Sequence, residues 1–213
     1  RKSCLWAHSL IQSQNETSYC MKSELPPPSL KREFRLPFAA LHESDFEYAC
    51  QDLARIAFGN LRPELKRTKG KSQYEVDVEC FNASQSPEVV IQSKRYKSIT
   101  DSKFLGWVND FVDELDGHWK NSGVQKYILA VTVEGNSDKL NKACKTAAEK
   151  LKTYGIEFEP WFLAKLTDLA RQDSSLVDRY FEDSWVRAIS AKSNSLGHDG
   201  RSNAPEQSFC ASN

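Results

Sequence analysis

Between residues 44 and 58 the apolar and small side chains fall at Phe46, Ala49, Cys50, Leu53, Ala54 and Ala57. That spacing predicts an amphipathic helix ended by Gly59. Residues 73–81 alternate instead, with Tyr74, Val76, Val78 and Cys80 directed to one side and Glu75, Asp77 and Glu79 to the other. A strand is expected there, and a second over 88–95 after a short polar connection, the two forming a hairpin. A helical stripe returns over 101–115 with Phe104, Trp107, Val108, Phe111, Val112 and Leu115. The continuous apolar run Tyr127-Ile128-Leu129-Ala130-Val131 marks a buried strand within 124–133. Ser137 then caps a helix through Leu140, Ala143, Cys144, Ala147 and Leu151 that stops at Gly155. A short strand over 156–159 comes before Pro160, and two short helices are expected over 163–170 and 176–181. The order α-β-β-α-β-α-β-α-α predicts an α/β domain in three layers, a central mixed β-sheet flanked by helices.

This pattern occupies residues 32–186. Residues 1–31, with the stiff spacer Leu25-Pro26-Pro27-Pro28, are expected to be an N-terminal extension, non-native or flexible. Residues 187–213 are rich in Ser, Asn and Gly and are expected to form a flexible tail. Lys plus Arg and Asp plus Glu both number 29, so bulk charge favours no partner and only local clustering can. No apolar run reaches the ~18 residues of a membrane helix, so no membrane partner is expected. The 6 cysteines are scattered without a CxxC pair, which disfavours a zinc site. Cys50, Cys80 and Cys144 lie in apolar patterns and read as reduced core thiols, so a cytoplasmic location is expected.

Three carboxylates on one strand face are unusual, and Gln92 and Lys94 share a face of the next strand by period-2 alternation. If the polar faces coincide, Asp77, Gln92 and Lys94 converge. A carboxylate and an amide oxygen are hard ligands suited to Mg²⁺. A neighbouring lysine can orient a water and neutralise charge developing on phosphorus.

Asp77 followed by Gln92-Ser93-Lys94 resembles the signature of the PD-(D/E)xK nuclease superfamily. The closer likeness is to its Mrr-like restriction endonuclease branch, which uses Gln in the second motif and often continues Q-x-K-R-Y. The chain reads Gln92-Ser93-Lys94-Arg95-Tyr96, with Phe46-Glu47 on the first helix matching that branch's acidic position. The resemblance spans roughly residues 40–165 and implies a restriction-endonuclease-like fold and a Mg²⁺-dependent endodeoxyribonuclease, with Mn²⁺ able to substitute. It makes Asp77 the central metal ligand and Gln92 a second ligand or a ligand-orienting group. The Ser93 backbone carbonyl would also face the metal, Lys94 would be the catalytic lysine, and Glu47 would reach in from the helix as an outer or second-metal ligand. The family's glycine-rich approach to the aspartate is absent, which leaves Glu75 and Glu79 as candidate auxiliary ligands. Glu47 has a competing local reading as the N3 residue of a Ser44-Asp45-Phe46-Glu47 capping box.

Lys69, Lys71, Arg95 and Lys97 flank the acidic site and suit phosphate contacts that position DNA without reading its sequence. Cutting both strands of a duplex favours a homo-oligomer. The stretch from Trp161 to Trp185 resembles the segment closing Mrr-like effector domains fused to bacterial NACHT- or STAND-type ATPases. It implies a role in restriction or antiphage defence, with a regulatory ATPase as a fused or tethered partner. The competing function is a catalytically inactive nuclease-fold module that binds nucleic acid or acts as a scaffold.

Overall fold

The computed structural model describes residues 34–66 and 74–188. Its elements in chain order are helix α1 (Glu43–Ala57), strands β1 (Arg62–Leu65), β2 (Val78–Phe81) and β3 (Pro87–Lys94), and helix α2 (Asp101–Asp113). Strand β4 (Lys126–Val131), helix α3 (Asp138–Lys152), strand β5 (Glu157–Trp161) and helices α4 (Leu163–Ala170) and α5 (Ser174–Tyr180) follow. The five strands form one sheet in the order β1-β2-β3-β4-β5. The first three are antiparallel neighbours, whereas β3, β4 and β5 run parallel. Helices α2 and α3 supply the crossovers that the parallel pairs require.

Each face of the sheet carries its own apolar layer. Val78, Cys80, Val89, Ile91, Ile128 and Ala130 meet α1, α4 and α5 on one side. On the other side Val90, Tyr127, Leu129 and Val131 meet α2 and α3. This is a three-layer α/β fold with a mixed sheet in the middle. The segment before α1 is tied to α4, with Leu36 N donating to Thr167 Oγ1 at 3.1 Å and Arg171 Nη2 to the Phe34 carbonyl at 2.8 Å.

Several expected elements change. Arg62–Leu65, where no element is expected, forms an edge strand, β1, whose polar pattern and Pro63 hide it, since proline is tolerated at a sheet edge. Strand β5 likewise runs through Pro160, because it forms the opposite edge. The strand expected over 73–81 is shortened to β2. Tyr74 and Glu75 have φ of 47° and 60°, so the chain enters through a left-handed turn. That turn resets the alternation, and Val76 joins the layer of α2 and α3 while Val78 and Cys80 join that of α1.

The capping box is also corrected. His42 is the N-cap of α1, its side chain accepting from Ser44 N, so Glu47 sits in the second turn with no capping duty. At the far end Phe58, not Gly59, closes the helix, its N–H reaching the Ala54 carbonyl. By contrast Ser137 caps α3 through Leu140 N at 3.2 Å, and Gly155 takes φ 74° just beyond it. Residues 187 and 188, expected in the flexible tail, are helical, while residues 1–31 and 189–213 and the candidates Lys69 and Lys71 lie outside the described residues.

Candidate functional site

The site forms where β2 begins and β3 ends. These strands are antiparallel, so the two positions share one end of the sheet. Asp77 precedes β2 and its backbone is fixed on both sides, its N–H donating to the Ile91 carbonyl at 2.9 Å and its carbonyl accepting from Lys66 N at 2.8 Å. Its carboxylate then turns along β3, where Oδ2 accepts from Ser93 N at 2.6 Å and from Ser93 Oγ at 2.8 Å. A strand residue presents its N–H and C=O to the same side, so the Ser93 carbonyl also faces the Asp77 side.

Gln92 and Lys94 share the adjacent face, but the carboxylate that meets them is Glu75. Gln92 Nε2 donates to Glu75 Oε2 at 2.8 Å, and Lys94 Nζ lies 3.8 Å from the same oxygen. The expected face of Glu75, Asp77 and Glu79 is thereby divided, each carboxylate meeting different partners. Glu75 faces Gln92 and Lys94, Asp77 faces Ser93, and Glu79 Oε1 pairs with Lys66 Nζ at 2.5 Å.

Gln92 is buried, at 1% exposure, and both ends of its amide are engaged. Its Oε1 accepts from the Tyr127 hydroxyl at 2.5 Å. A carboxylate only accepts, so Glu75 dictates that the NH₂ faces it and the oxygen faces Tyr127. Burial pushes the Tyr127 phenol well up from its ordinary value, and Asp77, Glu75 and Asp110 add to that rise. The hydroxyl therefore stays a donor to Gln92. A second lone pair remains on Oε1.

Glu47 lies in the second turn of α1, three residues before Cys50. Burial raises the Cys50 thiol, and the charges of Asp77 and Glu47 raise it further. Among the described residues no three His, Cys, Asp or Glu side chains come together as a metal-holding group. Asp77 and the Ser93 carbonyl nevertheless supply hard oxygens. Mg²⁺ commonly keeps several waters and binds through only one or two carboxylates, so this donor set fits such an ion.

Beyond β3 the chain exposes Arg95, Tyr96 and Lys97. Arg95 Nη1 donates to the Ala39 carbonyl at 3.3 Å. Thr132 holds the backbone of Tyr96 on both its N–H and C=O, at 2.9 and 2.7 Å. Lys103 Nζ rests 3.8 Å from the Tyr96 ring centroid. Reasoning from sequence missed Tyr127, which reads as one more apolar strand residue, and assigned no role to His118. His118 stacks on Tyr74 with ring centroids 3.6 Å apart and planes 5° apart. No family model matches the chain, and no curated protein matches it either.

Proposed function

We propose that this protein is a metal-dependent endonuclease that hydrolyses DNA phosphodiester bonds, a member of the Mrr-like branch of the PD-(D/E)xK superfamily. The observation that carries this reading is the docking of Asp77 onto Ser93, between Gln92 and Lys94, at one end of the mixed sheet. Asp77 and the Ser93 carbonyl would hold Mg²⁺, or Mn²⁺ in its place, with Glu47 reaching in from α1. Such an ion supplies charge stabilisation at phosphorus and a water of lowered pKa. Gln92 serves as the ligand-orienting group, its amide fixed between Tyr127 and Glu75. Lys94 directs an ammonium toward the attacked phosphate and the incoming water. Arg95 and Lys97, with Lys69 and Lys71, hold the backbone of double-stranded DNA.

Action on both strands calls for a homo-oligomer. The proposed setting is the cytoplasm, in restriction or antiphage defence, with a fused or tethered ATPase as regulator. No helix among the described residues is long and apolar enough to cross a membrane. A second reading, a nuclease-fold module that binds nucleic acid without cutting it, is favoured by one feature. The Gln92 amide is buried and already bonded at both ends.

Plasmid cleavage in Mg²⁺, Mn²⁺ or EDTA separates the two. The expected result is metal-dependent nicking or linearisation that falls about 10²- to 10³-fold in Asp77→Ala and in Lys94→Ala at matched folding. Wild-type protein that binds DNA with a steep salt dependence yet never cuts it would establish the second reading. Equal cleavage by all three proteins would overturn the site.

A further inference from the structure

Two successive non-glycine residues in left-handed conformation, Tyr74 and Glu75, persist only where their surroundings hold them. Four groups surround this turn. Trp119 Nε1 donates to the Tyr74 carbonyl at 3.2 Å. The Tyr74 ring lies flat on His118, and His118 in turn meets the Trp119 ring edge-on at 4.7 Å. Lys66 Nζ lies 4.5 Å from the Trp119 ring centroid, 5.2 Å from that of Tyr74 and 3.1 Å from His118 Nε2. Glu79 anchors the same ammonium. An ammonium only donates, so His118 Nε2 accepts and its proton sits on Nδ1. Burial and the Lys66 charge both favour this neutral ring by lowering its pKa, against Glu79 and Glu114, which act in the other direction.

We infer that the Tyr74–His118 stack, closed by Lys66 and Trp119, is a positioning clamp that seats the Glu75 carboxylate on Gln92 and Lys94. It joins the end of β1 and the segment after α2 to the turn that carries Glu75. Without it the turn relaxes to right-handed backbone, Glu75 leaves Gln92 Nε2, and the amide loses the partner that sets its orientation. His118 and Trp119 are thus positioning residues, and Glu75 is the group they position. The consequence for cleavage rests on the nuclease reading, whereas the consequence for the Gln92 amide does not.

The test reads that amide directly, in ¹⁵N–¹H spectra of the full chain, with the Gln92 NH₂ pair identified by its loss in Gln92→Glu. In the wild type the pair is expected to be protected from exchange and displaced by the charged acceptor, and Glu75→Gln moves it. His118→Ala removes the stack, and Trp119→Phe removes the Nε1 donor while keeping a smaller aromatic ring. Both are expected to move the pair in the same direction as Glu75→Gln and to lower its protection about 2- to 10-fold. His118→Phe keeps a flat ring on Tyr74 and is expected to restore the wild-type signal. The remaining resonances report whether each variant is folded. A Gln92 pair unchanged in both His118→Ala and Trp119→Phe would overturn the clamp.

Plasmid cleavage by the same proteins is expected to fall in His118→Ala and to return in His118→Phe. Absence of wild-type cleavage would defeat the nuclease reading while leaving the amide result to judge the clamp. An amide that moves without any change in cleavage would show that Glu75 is held as described but does not serve catalysis.

Discussion

Gln92 illustrates how a single residue is decided by competing magnitudes. Its contact with Lys94 runs only through Glu75, and the 3.8 Å Lys94–Glu75 pair is partly exposed on both sides, at 25% and 40%. Such pairs contribute about 0–1 kcal/mol. The hydrogen bond from Gln92 to the Glu75 carboxylate belongs to the charged class, at about 1.5–3 kcal/mol, so Glu75 is the partner that orients the amide. The other end depends on Tyr127. Tyr127→Phe keeps the ring stacked on Phe111, whose centroid lies 4.0 Å away, and leaves Gln92 Oε1 buried without its donor. The expected cost is about 1–3 kcal/mol, seen as a lower midpoint with an unchanged slope in urea unfolding. A variant as stable as the wild type would mean that Gln92 finds another donor. The spacing of Asp77, Gln92 and Lys94 was readable along the chain, but the exchange of carboxylates was not. It depends on two positive φ values at a tyrosine and a glutamate, residues that carry no sequence signal for that conformation.

Among the elements, helices were the most legible, because 15 residues of α1 and 15 of α3 repeat their apolar period several times. Edge strands were the least legible. β1 has four residues, one of them proline, and its burial alternates around Pro63 rather than around a conventional apolar residue. The short helix α5 shows what replaces periodicity in a small element. Asp52 of α1, whose side chain is only 12% exposed, accepts from Arg179 Nη1 at 2.5 Å and from the Tyr180 hydroxyl at 2.8 Å, and also pairs with Arg55. Burial, reinforced by Asp52, pushes the Tyr180 phenol up. This carboxylate therefore pins α5 to α1, a link that no spacing rule could reveal across 128 residues. Asp52→Ala is expected to lower stability by about 1–3 kcal/mol and to raise hydrogen exchange in α5 before the sheet. Uniform loss of protection across all elements would show instead that Asp52 supports the whole fold and not this one junction.

At the scale of the whole molecule, the zero net charge conceals a strong asymmetry between acid and alkaline conditions. On the acid side His118 has a lowered pKa, so the unfolded chain takes its proton first as the pH falls below 6.5. Stability from that source is present above this point and is lost as the pH falls through the folded value. On the alkaline side the buried thiols dominate. Burial raises Cys80 from 9.0 to about 12, and burial with the charges of Asp77 and Glu47 raises Cys50 well above 9.0. A raised folded pKa gives stability that is complete below the unfolded value and is lost as the pH climbs toward the folded one. Between pH 9 and 12 Cys80 therefore lowers stability by about 1.4 kcal/mol per pH unit, and Cys50 acts in the same direction above 9.0. Tyr127 and Tyr180 join them above 10. The expected profile is flat from about 6.5 to 9 and falls steeply beyond. Urea unfolding under reducing conditions at pH 8, 9, 10 and 11 measures it, with Cys80→Ala as the control. That variant starts less stable because it leaves a cavity, but its alkaline limb should be shallower by about 1.4 kcal/mol per pH unit. Parallel limbs in the two proteins would mean that Cys80 is not held neutral by the fold, and the alkaline loss would then belong to the other raised thiols and the tyrosines.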